Sequence, residues 1–331
     1  MKIAKYILLL IVLLFTATAV FVSTKEGAYY IEKSKIISIP KATLYSYIKD
    51  LKNNSEYNAW QKELISIKNL NFTDNDSVTQ MIFLKDKNFK IHWVFKDTLN
   101  STLVTCSTSG ELPFKDKLVY LLNKGVQYNF EEKFEDQLSS INTILTTEIN
   151  TFTIKLDGFV SRDTVFYIQK IVDCPEIDLP KKINSVLPQL TTLLKSTGTK
   201  SNGFPFVIYH SRDTILHTIN FSIAIPTLHK VFTSSESDIV TGQTNPFQAV
   251  KATLTGNYIH KQKALEQIFA FMEKNKLEQS DIHKEIDIIQ KNITTEKSIA
   301  KWKTEILIPV RPKKALFKPR TIKDTLNITS S

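Results

Sequence analysis

The sequence predicts an α+β protein in which one apolar N-terminal helix precedes two folded parts. Three observations predict it. An uncharged run from Tyr6 to Thr24 is long enough to be a transmembrane helix. Residues 27–150 carry short β-rich runs closed by one long helical stripe. Residues 162–310 show a β-α-β-β order of elements twice. A chain of 331 residues takes two domains as its default. At 42% hydrophobic and 23% charged residues, the composition is that of a globular protein and excludes disorder as the general state. With 8 glycines and neither G-x-G-x-x-G nor G-x-x-x-x-G-K-[ST], glycine-rich phosphate loops are excluded. A net charge of +10 and a pI of about 9.3 suit an anionic membrane surface or nucleic acid, and show neither.

The amino terminus comes first. Lys2 and Lys5 precede the Leu-, Ile- and Val-rich run, which closes at Lys25-Glu26. Roughly 19 residues at 1.5 Å each span about 28 Å, close to the hydrocarbon thickness of a bilayer. Two readings compete over residues 1–26: an uncleaved signal anchor, or a signal peptide cut after Ala17-Thr18-Ala19. The apolar run continues through Val20-Phe21-Val22, which favours the anchor. Lys2 and Lys5 favour a cytoplasmic N-terminus, but Lys25, Lys33, Lys35 and Lys41 follow on the other side, so the positive-inside count does not decide. A single N-terminal segment ordinarily leaves its body outside. The expectation is therefore a single-pass membrane protein with an extracytoplasmic body on the periplasmic side.

In residues 27–150, Tyr29 to Pro40 reads as a strand and Lys41 to Leu51 switches to helical spacing. Four β-rich runs follow, Ile65–Phe72, Val78–Leu84, Phe89–Phe95 and Thr102–Thr108, separated by Asp-, Asn- and Lys-rich turns. Phe130, Phe134, Leu138, Ile141 and Leu145 then form the apolar stripe of one long helix. A long helix laid along a curved antiparallel sheet closes the domain and usually encloses a cavity. Tyr30 to Lys41 resembles the opening of the START-like, polyketide-cyclase (SRPBCC) superfamily. Phe130-Glu131-Glu132-Lys133-Phe134 resembles the start of its closing helix. The resemblance implies a helix-grip fold that binds lipids, sterols or other apolar molecules between sheet and helix. Trp93 and Phe95 read as core.

In residues 162–310, strand 163–173, helix 176–196 and strands 206–210 and 215–225 are followed by strand 247–254, helix 260–275 and strands 286–290 and 302–310. The helices carry Ile183, Val186, Leu187, Leu190 and Leu194 on one face of the first, and Ala264, Ile268, Phe271 and Met272 on one face of the second. The repeat spacing is about 75 residues. Two such units pair best as one sheet with both helices on one face and a groove on the other. In the last strand, Trp302, Thr304, Ile306 and Ile308 alternate with Lys303, Glu305 and Leu307 up to Pro309, which marks the strand end. Glu305 sits mid-strand, where an ionised carboxylate is costly to bury unanswered. It either faces water beside a lysine or lies at the bottom of a ligand pocket.

Gly203–Tyr209, Thr255-Gly256-Asn257-Tyr258 and Lys301–Pro309 resemble, in order and spacing, the strand entry, Gly-x-Tyr turn and closing strand of the GyrI-like effector-binding domain. The order anchor, START-like domain, GyrI-like domain is also similar to that of a bacterial group carrying all three in one chain. The resemblance implies that Glu305 is a central pocket carboxylate meeting a cationic or polar ligand group. Tyr258, Tyr209 and Trp302 are the further ligand-binding candidates; alternation puts Trp302 on the face opposite Glu305.

The remaining residues add little chemistry. Cys106 and Cys174 lie far apart, and His92, His210, His217, His229, His260 and His283 lack H-x-x-x-H spacing, so no metal and no cofactor is expected. Residues 311–331 read as a basic disordered tail. The function expected is membrane-anchored binding of a lipophilic or cationic small molecule, without catalysis. Two alternatives are a hydrolase of small electrophilic compounds with Glu305 as general base, and a ligand-responsive transcription regulator. The last ranks lowest because the GyrI-like part is joined to a START-like part behind a membrane segment and not to a DNA-binding helix-turn-helix, and nucleic acid is not an expected partner.

Overall fold

The computed structural model describes residues 2–24, 27–51, 59–60, 62–73, 76–85, 88–98, 101–123, 125–234, 237–281 and 284–313. The expected basic tail lies outside them beyond residue 313, as does His283. The chain divides into two compact units, Met1–Asn150 and Thr151–Ser331.

The first unit begins with α1 (Lys2–Thr24). Its segment Lys5–Thr24, with mean hydropathy 2.6, is long and apolar enough to cross a membrane. A signal sequence passes the same test. There follow β1 (Ala28–Ile37), α2 (Lys41–Lys49), β2 (Leu64–Thr73), β3 (Ser77–Leu84), β4 (Asn88–Thr98), β5 (Ser101–Glu111), α3 (Phe114–Asn123) and α4 (Gly125–Asn150). The five strands form one antiparallel sheet in the order β1-β5-β4-β3-β2. The strands, α2 and the closing helix follow the expected pattern; α3 was not expected. The apolar stripe of α4 is buried at Phe130, Phe134, Leu138, Ile141 and Leu145, and α4 lies along β1.

Aromatic rings fill the interior of this unit. Trp60, Phe89, Phe130 and Phe134 pack together with ring centroids 5.0–6.2 Å apart. Trp93 and Phe95 are buried, as expected of core. The Trp93 indole donates to Gln80 Oε1 at 3.0 Å, and Gln80 Nε2 in turn donates to the Ile48 carbonyl and Asn69. Burial pushes the Cys106 thiol up to about 12. At pH 8 only ~10⁻⁴ of it is thiolate, the nucleophilic form. In the folded protein Cys106 is expected to resist thiol-reactive reagents and to become alkylated only with unfolding, which mass spectrometry across a denaturant series would follow.

The second unit contains β6 (Thr153–Arg162), β7 (Val165–Pro175), α5 (Leu179–Ser196), β8 (Phe206–Asp213), β9 (Thr218–Thr227), β10 (Ile239–Thr244), β11 (Phe247–Thr255), α6 (Lys261–Lys274), β12 (Leu277–Gln279), β13 (Ile286–Lys291) and β14 (Lys303–Pro312). Its sheet runs β10-β7-β9-β8-β13-β14-β11-β6, with β12 on the end of β14. The β-α-β-β pattern is present twice, as β7-α5-β8-β9 and β11-α6-β13-β14. The offset between the copies, from α5 at Leu179 to α6 at Lys261, agrees with the element bounds read from the sequence, and the spacing of about 75 residues undercounted it. Each half also has a first strand the sequence did not show, and the halves exchange them: β6 pairs with β11, and β10 with β7.

Both helices pack on one sheet face, α5 on β7 and β9, α6 on β6, β11 and β14. Val207, Phe221, Ile223 and Ile225 meet α5; Val250, Ala252, Leu254, Ile306 and Ile308 meet α6. The opposite face carries a separate apolar cluster of Tyr167, Phe206, Ile208, Ala224, Ala249, Ile286 and Leu307, to which no helix contributes.

Pro309 does not end its strand. Its carbonyl accepts from Ser280 N at 2.9 Å, so its nitrogen points the same way, into the gap where β13 has stopped at Leu307 and β12 starts at Val310. A proline there removes no ladder bond. Pro226 repeats the device in β9: its carbonyl accepts from Asn202 N at 2.8 Å, beyond the last β8 partner, Ala224. Gly256, in the Gly-x-Tyr turn, has φ +120°, and an added Cβ would lie 2.8 Å from the Thr151 carbonyl oxygen and 2.9 Å from Phe152 Cα. Gly256→Ala is therefore expected to destabilise the unit by about 1–3 kcal/mol in chemical denaturation.

Candidate functional site

Two charged groups stand out in the second unit, and the sheet separates them. Register assigns each residue to a face. Across β13 and β14, Ile288 is opposite Glu305 and Ile286 opposite Leu307, so these four share the helix-free face. Asp287, opposite Ile306, points to the helix side.

On the helix-free face, the Glu305 side chain is 14% exposed. Lys251 Nζ reaches its Oε1 at 3.2 Å, and Arg162 reaches its Oε2 at 3.7 Å. Lys251 also contacts Asp157 at 3.5 Å, and Asp157 accepts from Thr253 Oγ1 at 2.6 Å and pairs with Lys155 at 2.9 Å. Desolvation pushes the Asp157 carboxyl up, but the Thr253 and Lys155 hydrogen bonds and the Lys251 charge more than offset it, leaving the pKa below the ordinary value. Arg162, Glu305, Lys251, Asp157 and Lys155 thus form a chain of alternating charges on the face that carries the apolar cluster.

On the helix side, Asp287 is 1% exposed. Its Oδ2 accepts from Tyr209 OH at 2.8 Å, from Tyr258 OH, and from Lys261 Nζ at 2.6 Å. The two phenol oxygens are 2.5 Å apart. Lys261 opens α6 and also pairs with Glu285. Burial, followed by the charge on Asp287, pushes both tyrosine hydroxyls well above the ordinary phenol value.

No known protein-family profile matches the chain. A curated relative, an ATPase ASNA1 homolog of Plasmodium chabaudi chabaudi, is 25% identical over 107 residues, which are 31% of this chain and 26% of that protein. The chain thus spans about a quarter of that relative's length. Several solved structures are similar to the chain. The EcmrR C-terminal domain matches with TM-score 0.40 and 17% identity, over 49% of this chain and 98% of that one. A hydrolase encoded by lin2189 from Listeria innocua matches with TM-score 0.36 and 13% identity, over 48% and 92%. SAV2435 bound to tetraphenylphosphonium matches with TM-score 0.32 and 10% identity, over 48% and 93%. Likeness of this degree assigns no role to any residue here.

Of the four candidates read from sequence, the structure brings Tyr209 and Tyr258 together but places them across the sheet from Glu305. Trp302 joins neither group; its indole donates to the Glu296 carbonyl at 2.9 Å, in the loop before β14. Sequence reasoning missed Asp287, Glu285 and Lys261, and the partners Lys251, Arg162 and Asp157. Asp287 offered the same signal as Glu305, an acid inside an apolar run (Ile286–Ile289). A cavity of about 510 Å³ in this unit, lined by Thr197–Lys200 and Leu228–Phe232, shares no residue with either group.

Asp287→Asn would leave the Lys261 ammonium beside Glu285 alone. Breaking a buried pair from one side costs about 3–5 kcal/mol; because Glu285 remains, the low end, about 3 kcal/mol, is expected in urea unfolding of the full chain in detergent.

Proposed function

We propose that this protein binds an amphipathic small molecule, lipophilic with a cationic group, on the helix-free face of its second unit, and that α1 holds it at a membrane with the body on the extracytoplasmic side. One observation carries the reading. A buried apolar cluster drawn from both halves of the repeat, Tyr167, Phe206 and Ile208 from the first and Ala249, Ile286 and Leu307 from the second, adjoins a carboxylate shielded from bulk water.

The ion pairs already at Glu305 do not block it equally. The Arg162 contact is long at 3.7 Å and its side chain is 40% exposed. Exposed pairs of that kind are worth about 0–1 kcal/mol. A ligand cation therefore replaces Arg162 at small cost, while Lys251 stays on the other oxygen. Apolar ligand surface adds about 25 cal/mol for each Å² it removes from water. A hydrolytic role for Glu305 as general base would need a carboxylate oxygen free to take a proton from water. Both oxygens face cations, so binding is the better-supported activity.

Amphipathic cations are expected to raise the melting temperature of the detergent-extracted protein, with stabilisation of about 2.7 kcal/mol at a ligand concentration about one hundred times Kd. Glu305→Gln is expected to weaken binding about tenfold or more, ~1.4 kcal/mol. A broad screen of lipophilic cations with no shift, or shifts unchanged in Glu305→Gln, overturns the reading. Retention of the full-length protein in carbonate-washed membranes, and its loss when residues 1–24 are removed, checks the anchor.

A further inference from the structure

The helix-side cluster is built around an ammonium ion. Lys261 Nζ lies 3.9 Å from the centre of the Tyr209 ring and 5.2 Å from that of Tyr258. It pairs with Asp287 Oδ2 at 2.6 Å and with Glu285 Oε1. Aromatic faces attract a cation through their quadrupoles, and buried carboxylates take its N–H donors. Here the guest belongs to the chain itself, an alkylammonium tethered to the first residue of α6.

The fit is incomplete: Glu285 Oε1, although ion-paired with Lys261, accepts no hydrogen bond, and one Asp287 oxygen is unmet as well. Three donors converge on Asp287 Oδ2, while Asp287 Oδ1 is buried with no hydrogen-bond partner. A buried acceptor left unmet is unfavourable, and a guest free to place a second donor would meet it. The site also has an edge: the Glu285 side chain is 20% exposed, and the neighbouring turn Tyr258–His260 carries Ile259 in solvent.

We propose that Tyr209, Tyr258, Asp287 and Glu285 form a binding site for a primary alkylammonium ligand, and that Lys261 is its built-in competitor. The ligand binds by taking the place of the Lys261 ammonium. The site goes beyond the reading above and shares no residue with it, since its counter-charge is Asp287 and not Glu305. Its selectivity follows from the donors. A primary ammonium satisfies two carboxylates through N–H bonds, whereas a quaternary one has no N–H to give. Apparent affinity is reduced by the fraction of molecules in which Lys261 occupies the site.

The test uses the full chain in detergent. Lys261→Ala removes all of the side chain beyond Cβ, and n-propylammonium is the missing piece. The variant is expected to melt lower than the parent. n-Propylammonium should restore its melting temperature saturably, and tetramethylammonium should not. Asp287→Asn added to Lys261→Ala should abolish the rescue, whereas Glu305→Gln added to it should leave the rescue intact. If Lys261→Ala does not fold alone, recovery of soluble protein when n-propylammonium is present during refolding replaces the melting readout. Absence of rescue by either readout overturns the proposal. In the parent protein a longer n-alkylammonium should bind about tenfold or more weakly than in Lys261→Ala, and only with Asp287 intact. Rescue of the variant with no binding to the parent at any concentration also overturns it, because Lys261 is then a fixed ion pair and not a displaceable one.

Discussion

The second unit depends on a short seam. Three facing pairs, Phe206 with Ile288, Val207 with Asp287 and Ile208 with Ile286, join β8 to β13 and so join the two halves of the repeat. Because side chains alternate along a strand, this register decides which face every neighbouring residue takes. A slip of one residue would turn Asp287 into the helix-free cluster and an isoleucine onto Lys261. The seam does not act alone. Each half lends its first strand to the edge of the other, so that β6 and β10 tie the ends while β8 and β13 tie the middle. Separating the halves would cost both edge ladders as well as the seam.

Much of this architecture was legible in the sequence, and the reasons are local. The stripe Phe130–Leu145 and the stripes of α5 and α6 have helical period; the first is buried, and the other two are buried except for the partly buried Ile183, Leu187 and Phe271. The strands of the first sheet are separated by strong turn residues. The exchanged strands β6 and β10 were not legible. β6 contains Gly158 at φ +83° and a register shift beside it, and its residues alternate between partly buried and exposed. β10 has six residues, including Gly242, against which the Tyr167 ring lies. Neither offers a run of large apolar residues. Pro309 misled for a different reason, which Pro226 shares. A proline excludes a hydrogen bond on one side of one residue, and in β9 and β14 that side has no neighbouring strand.

The site was legible only in part. Glu305 could be found because it sits in the middle of a clean alternation from Trp302 to Ile308. Its face relative to Tyr209 could not. Phe206 to Tyr209 are all buried, so the run has no polar phase to say which side is which. Only pairing with β13 sends Tyr209 to the helix side. Tyr258 is fixed separately, by the turn that Asn257 caps through its side chain onto Ile259 N. Grouping aromatic residues with the nearest carboxylate by motif therefore joined residues that the sheet keeps apart.

Two acids on adjacent strands consequently answer the same problem in different ways. Glu305 keeps one edge near solvent and divides its charge between Lys251 and an exposed Arg162, so exchange of a partner is cheap and selectivity for any one cation is modest. Asp287 is closed off and depends on one ammonium, two phenols and a neighbouring acid, so exchange is costly but the geometry discriminates among cations. Burial sets that difference. A polar group near water can swap partners because water covers the interval, whereas a buried one must be handed directly from one donor to the next. For Asp287 this requires the incoming ammonium to arrive as Lys261 leaves. The exposed edge at Glu285 is where such a transfer can begin, since Glu285 contacts the same Lys261 ammonium and also meets solvent.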